Sequence, residues 1–179
     1  MKRVVWAIAV SLFCAGPLAA QKTPSAVALE PGDAVTIRTD ASGAMMVSQR
    51  GTAEWTPFDI AAARHLSGLP TPDGPVPYAS PIPHDEAGPA VPEIEPDRVR
   101  LKFLSIAGRH SLLVVQNGYD QAIAYRARMT RDGRTTPTDV CLVIPRRHGF
   151  EHWPHPIERL EIYDMRVIAW HEGDLSPCA

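Results

Sequence analysis

Between Asp97 and Glu172, short runs with an apolar side chain at every second position are separated by turn residues. In Arg98-Val99-Arg100-Leu101-Lys102-Phe103, Val99, Leu101 and Phe103 share one face and three cations the other, which predicts a half-buried strand. Ser111 to Gln116 is β-branched and apolar on both faces, which predicts a central strand. Asn117-Gly118, residues that tolerate positive φ, end it. Alternation returns at Ile123, Tyr125, Ala127 and Met129 and stops at Asp132-Gly133, a type I′ turn signal. Thr138 to Ile144 predicts a further strand, closed by Pro145 because proline lacks the N–H of a sheet ladder; Cys141 lies on its Val143 face. The last run, Ile157 to Trp170, changes phase near Asp164, so a bulge or tight bend is predicted at Tyr163-Asp164.

Nearer the N-terminus, Val35 and Ile37 alternate within Asp33 to Thr39, and Asp40-Ala41-Ser42-Gly43 turns the chain into Ala44 to Gln49. This predicts a hairpin, with Pro31-Gly32 joining an earlier edge strand. Thr56-Pro57-Phe58-Asp59 opens one helix, about 57–66. Threonine caps it, proline suits its first position and Asp59 sits at its positive end. Phe58, Ala61, Ala62, His65 and Leu66 share one face of that helix, with His65 expected to be partly buried, and Gly68 ends it. From Leu69 to Pro96, proline recurs at 70, 72, 75, 77, 81, 83, 89, 92 and 96, which forbids helix and sheet and predicts an extended linker or strap.

Strands at this spacing without helical segments between them predict a mainly β fold: an antiparallel immunoglobulin-like β-sandwich or small barrel, with one short helix and a proline-rich strap. The likeness to the immunoglobulin sandwich is architectural only, because the Cys…Trp…Cys arrangement of antibody domains is absent. The expected organisation is a signal peptide at 1–20, hairpin and helix at 21–68, the strap at 69–96, and a sandwich core with a tethered tail at 97–179.

Composition adds a compartment. Met1-Lys2-Arg3, the apolar run Val4 to Ala15 and the small residues before Gln21 are the parts of a secretory leader, with cleavage expected near Ala20. The run is too short to span a bilayer, which takes about 20 apolar residues. No transmembrane segment is therefore expected after cleavage, and the destination is the periplasm or the medium. Leu12-Phe13-Cys14 resembles a lipoprotein box, but bulky Phe13 stands where a small residue is wanted. The formal charge of −2 becomes more negative without Lys2 and Arg3, the wrong sign for generic nucleic-acid binding. Cys141 and Cys178 survive processing and, in an oxidising compartment, are expected to form a disulfide fastening the tail.

The densest candidate chemistry is the stretch Arg146 to Pro156, expected as a proline-stiffened loop. His148, His152 and His155 are candidate ligands for Zn or Cu, although Pro154 and Pro156 forbid the helix that would align them; no cofactor is the default. Glu151, His152, Trp153 and Tyr119 are candidate ligand-binding residues, with Phe150, Trp153 and Tyr119 as an aromatic platform for a sugar ring. The bland alternative buries those rings and pairs Glu151 with Arg146 or Arg147. Met45-Met46 offers soft thioethers, but adjacent strand residues face opposite ways and cannot grip one ion. Arg98, Arg100, Lys102, Arg126 and Arg128 are expected on solvent faces, paired across strands with residues such as Glu158 and Glu161. No nucleophile elbow, zincin helix, phosphate loop or dinucleotide fingerprint occurs. The reading is an exported bacterial envelope protein acting as a non-catalytic binding, assembly or structural module, with another envelope protein or a polysaccharide as partner. The second reading is a small secreted metal-dependent enzyme or hydrolase centred on Glu151, His152 and His155.

Overall fold

A computed structural model describes residues 26–40, 43–69, 89–171 and 173–174. The leader, the strap from 70 to 88 and Cys178 lie outside the described residues. The strands are β1 (Val27–Leu29), β2 (Asp33–Thr39), β3 (Met45–Thr52), β4 (Val99–Ile106), β5 (His110–Asn117), β6 (Ala122–Arg131), β7 (Arg134–Pro137), β8 (Leu142–Val143), β9 (His148–Trp153) and β10 (Arg159–Ile168); the one helix among the described residues, α1, is Pro57–Ser67.

They form two antiparallel sheets, as a sandwich requires. The first runs β1-β10-β6-β7 with β8 also on β6, and the second runs β3-β2-β4-β5-β9. The alternating residues read from the sequence fill the space between them. Val99, Leu101 and Phe103 of β4, Leu113 and Val115 of β5, Ile123, Tyr125 and Ala127 of β6, and Leu160 and Ile162 of β10 belong to one buried cluster. A second cluster lies on the outer face of the second sheet, where Ala63 of α1 meets Leu104, Ile106, Leu112 and Val114. The protein is thus sheet on sheet on helix, and β5 is apolar on both faces because both are covered.

The N-terminal hairpin and the strand before it are part of the two sheets. β2 pairs with β4, Val35 opposite Leu101, and β1 pairs with β10, Val27 opposite Ile162. The crossing between the sheets is at Gly32, at φ 102°, whose N–H donates to the Phe103 carbonyl at 2.7 Å. Glycine alone takes that φ without strain. The sandwich therefore extends well before the expected boundary at 97.

Asp132 and Gly133, at φ 50° and 69°, form the turn joining β6 and β7, and β10 shifts register between Tyr163 and Arg166 with Asp164 at φ 51°. The strand expected over Thr138 to Ile144 is broken instead. β7 is a fully exposed hairpin arm, and pairing resumes only at Leu142 and Val143. Met45 packs on the core and Met46 is half exposed, so the two thioethers do point apart.

Asn117 and Gly118 correct the sequence reading. Neither has positive φ. The buried Asn117 amide donates to the carbonyls of Gln121 (2.8 Å), Val143 (3.1 Å) and Ile144 (3.1 Å), and its oxygen accepts from the Tyr119 N–H at 2.9 Å. Gly118 is needed for close approach, since a Cβ there would overlap the Glu95 carbonyl oxygen and lie 2.8 Å from that of Arg98.

Candidate functional site

The outer face of the second sheet carries the chemistry, because α1 is held there by an acid and a base that the fold buries. Thr56 Oγ1 accepts from the Asp59 N–H at 3.2 Å, while Asp59 Oδ2 accepts from the Thr56 N–H at 2.9 Å, a reciprocal capping box. The same Oδ2 takes the ammonium of Lys102 from β4. Lys102 was expected in solvent, on the polar side of its strand. It is 3 % exposed, because the helix lies over that side. Its Nζ also approaches the Glu54 carbonyl at 3.5 Å. Gly68, at φ 65°, closes the helix by donating to the Arg64 carbonyl at 3.0 Å.

The apolar helix face read from the sequence does not lie against the sheet. Asp59 and Ala63 go down onto the sheet, and Ala63 lets the helix backbone come close. Phe58, Ala61, Ala62, His65 and Leu66 instead line a groove of about 340 Å³ with Pro89 and Phe150 as its other wall. Leu66 is 40 % exposed, and His65 is exposed rather than partly buried. The Phe58 ring sits 4.9 Å from the His148 ring and 5.6 Å from that of Phe150, which closes one end.

The expected loop from Arg146 to Pro156 is largely the edge strand β9, paired to β5 with Val114 opposite Phe150. Pro154 and Pro156 follow its last residue and so leave its ladder intact. Strand alternation now separates the proposed site residues. His148, Phe150 and His152 face outward, toward the helix-bearing side, whereas Gly149, Glu151 and Trp153 face the inter-sheet core. His148 and His152 are four positions apart on one strand, about 13 Å, too far to share an ion. Among the described residues no three His, Cys, Asp or Glu side chains are placed to hold a metal. The set His148, His152 and His155 is therefore not a ligand set here. Glu151 and His152 point to opposite faces, which also takes the geometry away from an enzyme centred on them.

Each residue has a different partner instead. His148 Nε2 lies 3.2 Å from the Gln116 amide nitrogen. Burial and the Lys102 charge hold its pKa below the usual imidazole value, against the pull of Asp59. His152 Nε2 lies 3.0 Å from Nδ1 of His110, which opens β5. Both of those imidazoles are pushed below their ordinary pKa, first by burial and then by neighbouring positive charge: Arg109 and His155 for His110, and His110 and His155 for His152. His155 Nε2 is buried without a hydrogen-bond partner.

On the inner side, Glu151 accepts from the Tyr125 hydroxyl at 3.3 Å, and burial raises its carboxyl pKa. Arg146 pairs with Asp120 at 2.7 Å rather than with Glu151. The aromatic platform does not form. Trp153 and Tyr119 are buried in the core, the Tyr119 hydroxyl accepts from the Thr39 N–H at 2.9 Å, and Phe150 faces the other way. Of the surface cations, Arg128 makes the expected cross-strand pair, both ends of its guanidinium 2.8 Å from Glu161 directly opposite.

His110 was not singled out in the sequence. It meets His152 only through the β5–β9 pairing, and one sequence carries no signal of that long-range register. Among the described residues no helix is long and apolar enough to cross a membrane. Together these features define a two-sheet antiparallel β-sandwich protein with a capped helix and an apolar groove on one outer face. No protein-family model matches the chain, and no curated protein or solved structure is significantly similar to it.

Proposed function

We propose that this is an exported bacterial envelope protein, periplasmic or secreted, that acts as a non-catalytic binding module and takes an aliphatic chain into the groove beside α1. The observation that carries the reading is that unspent helix face. Phe58, Ala61, Ala62 and Leu66 form an apolar trough opposite Phe150 and Pro89, and His65 is the one ionisable side chain among its lining residues. A volume of about 340 Å³ falls at the small end of ligand pockets, and a mostly apolar lining with few polar groups is their usual make-up. Ala61 and Ala62 leave room that larger residues would fill. The secretory leader supports the compartment, and within it Cys141 and Cys178 join to tether the tail, which would contribute roughly 4 kcal/mol on chain-entropy arithmetic.

The test uses the mature chain purified from the envelope, with N-phenyl-1-naphthylamine as fluorescent probe and dodecanoate as competitor. Saturable probe binding, displaced by dodecanoate and weakened at least tenfold in Ala62→Leu with an unchanged circular dichroism spectrum, is expected. Absence of saturable binding, or equal binding in Ala62→Leu, overturns the groove as the site. Titratable thiols in the freshly recovered protein overturn the disulfide and leave the groove result standing.

A further inference from the structure

The histidines that the sequence grouped wrongly point to a different grouping. His110 enters at the start of β5, and His152 lies near the end of β9 on the same outward face. Leu112 is directly opposite His152, so His110 is its diagonal neighbour, a position from which long side chains meet. Their rings are 5.1 Å apart at the centroids, and His110 Nδ1 and His152 Nε2 are 3.0 Å apart. In the absence of an ion this is an N–H···N contact, which needs one ring to donate and the other to accept.

We propose that His110 Nδ1 and His152 Nε2 form a two-imidazole site for Cu(II), independent of the groove. With metal–nitrogen bonds of about 2.0–2.1 Å, two nitrogens 3.0 Å apart subtend roughly 94° at a shared ion. That is close to the right angle between neighbouring ligands in tetragonal Cu(II), and well short of the roughly 109° of a tetrahedral Zn(II) site. Copper also stands at the top of the divalent affinity order for nitrogen ligands. On loading, the ring that donates moves its proton to its other nitrogen, so both facing nitrogens present lone pairs and water fills the remaining positions.

Arg109, from the β4–β5 turn, neighbours His110, and His155, from the segment after β9, neighbours both rings. His155, although its Nε2 is buried without a hydrogen-bond partner, is not placed as a third ligand, so the site rests on His110 and His152 alone.

The mature, metal-free chain is titrated with Cu(II), and in parallel with Zn(II), by calorimetry and electron paramagnetic resonance. One equivalent of copper with a tetragonal spectrum and hyperfine coupling to imidazole nitrogen is expected, at least tenfold tighter than zinc. His110→Ala and His152→Ala should each weaken it at least tenfold, while His148→Ala and His65→Ala leave it unchanged. Circular dichroism of each variant establishes folding, and the less disruptive His110→Gln and His152→Gln serve if an alanine variant unfolds. No saturable uptake, copper retained in both His110 and His152 variants, or a tighter site for zinc overturns the proposal.

Discussion

The ammonium of Lys102 meets the carboxylate of Asp59 beneath the first turn of α1, with both side chains almost wholly out of solvent. That carboxylate also completes the helix cap, so one residue joins the local start of the helix to its docking on β4. Removing one partner of such a pair strands the other charge in the interior. Lys102→Met should cost about 3–5 kcal/mol of unfolding free energy. Lys102→Met combined with Asp59→Asn, which keeps an oxygen for the cap but removes the stranded charge, should cost less than the single change. Urea unfolding of the two variants checks this; a double variant as unstable as the sum of its parts contradicts it.

Gly118 tolerates no side chain. A methyl group there runs into the backbone carbonyls of Glu95 and Arg98, and backbone cannot swing aside as a flexible side chain would. Gly118→Ala should lose about 3 kcal/mol or more. Gly51→Ala, with open space around its Cβ, should change stability little. Comparing their thermal midpoints tests the contrast.

Acid should loosen the outer face. His110, His148 and His152 all have folded pKa values below their ordinary one, chiefly through burial. Their contribution to stability is complete above the unfolded value of about 6.5 and is lost as pH falls through that value toward the folded ones. Urea midpoints should therefore drop between pH 7.5 and 5 on the scale of that histidine titration. His152→Gln should show a shallower drop. A midpoint that is flat or rises over this interval would count against the account.

Tyr125 works in the opposite direction at the alkaline end. Burial, and then the Glu151 carboxylate, push its phenol far above the ordinary value. Stability from this group is whole below the unfolded pKa of about 10 and declines as pH climbs above it. Tyr125→Phe should flatten the alkaline limb of the stability profile, read as urea midpoint against pH. In the unaltered protein, one tyrosinate absorbance step should appear only together with unfolding.

The regular parts of this fold were legible because local chemistry and tertiary need agree in them. Asp132-Gly133 turns where a type I′ signal stands, and Asp164 marks the bulge where the β10 pattern changes phase. The α1 cap follows Thr56, Pro57 and Asp59 residue by residue. What could not be read depends on which element lies over which. Lys102 looks like solvent-facing charge until a helix covers it. The β9 strand is hidden because Gly149 and charged residues interrupt its apolar alternation, although Gly149 is there for space: a Cβ would come 2.7 Å from Val143 Cγ2. The grouping of His148, His152 and His155 could not hold, since strand geometry spreads neighbours in sequence and brings His110 to His152 across 42 positions.

The pairing of Val27 with Ile162 has a consequence for how the molecule comes into being. Its first described strand finds its place only against its last, so the opening sheet stays incomplete until almost all the described chain has left the ribosome. Early lengths of polypeptide therefore lack the partner that β1 needs, and this sheet closes only late in synthesis, after the second sheet, which needs nothing beyond β9, can already have formed.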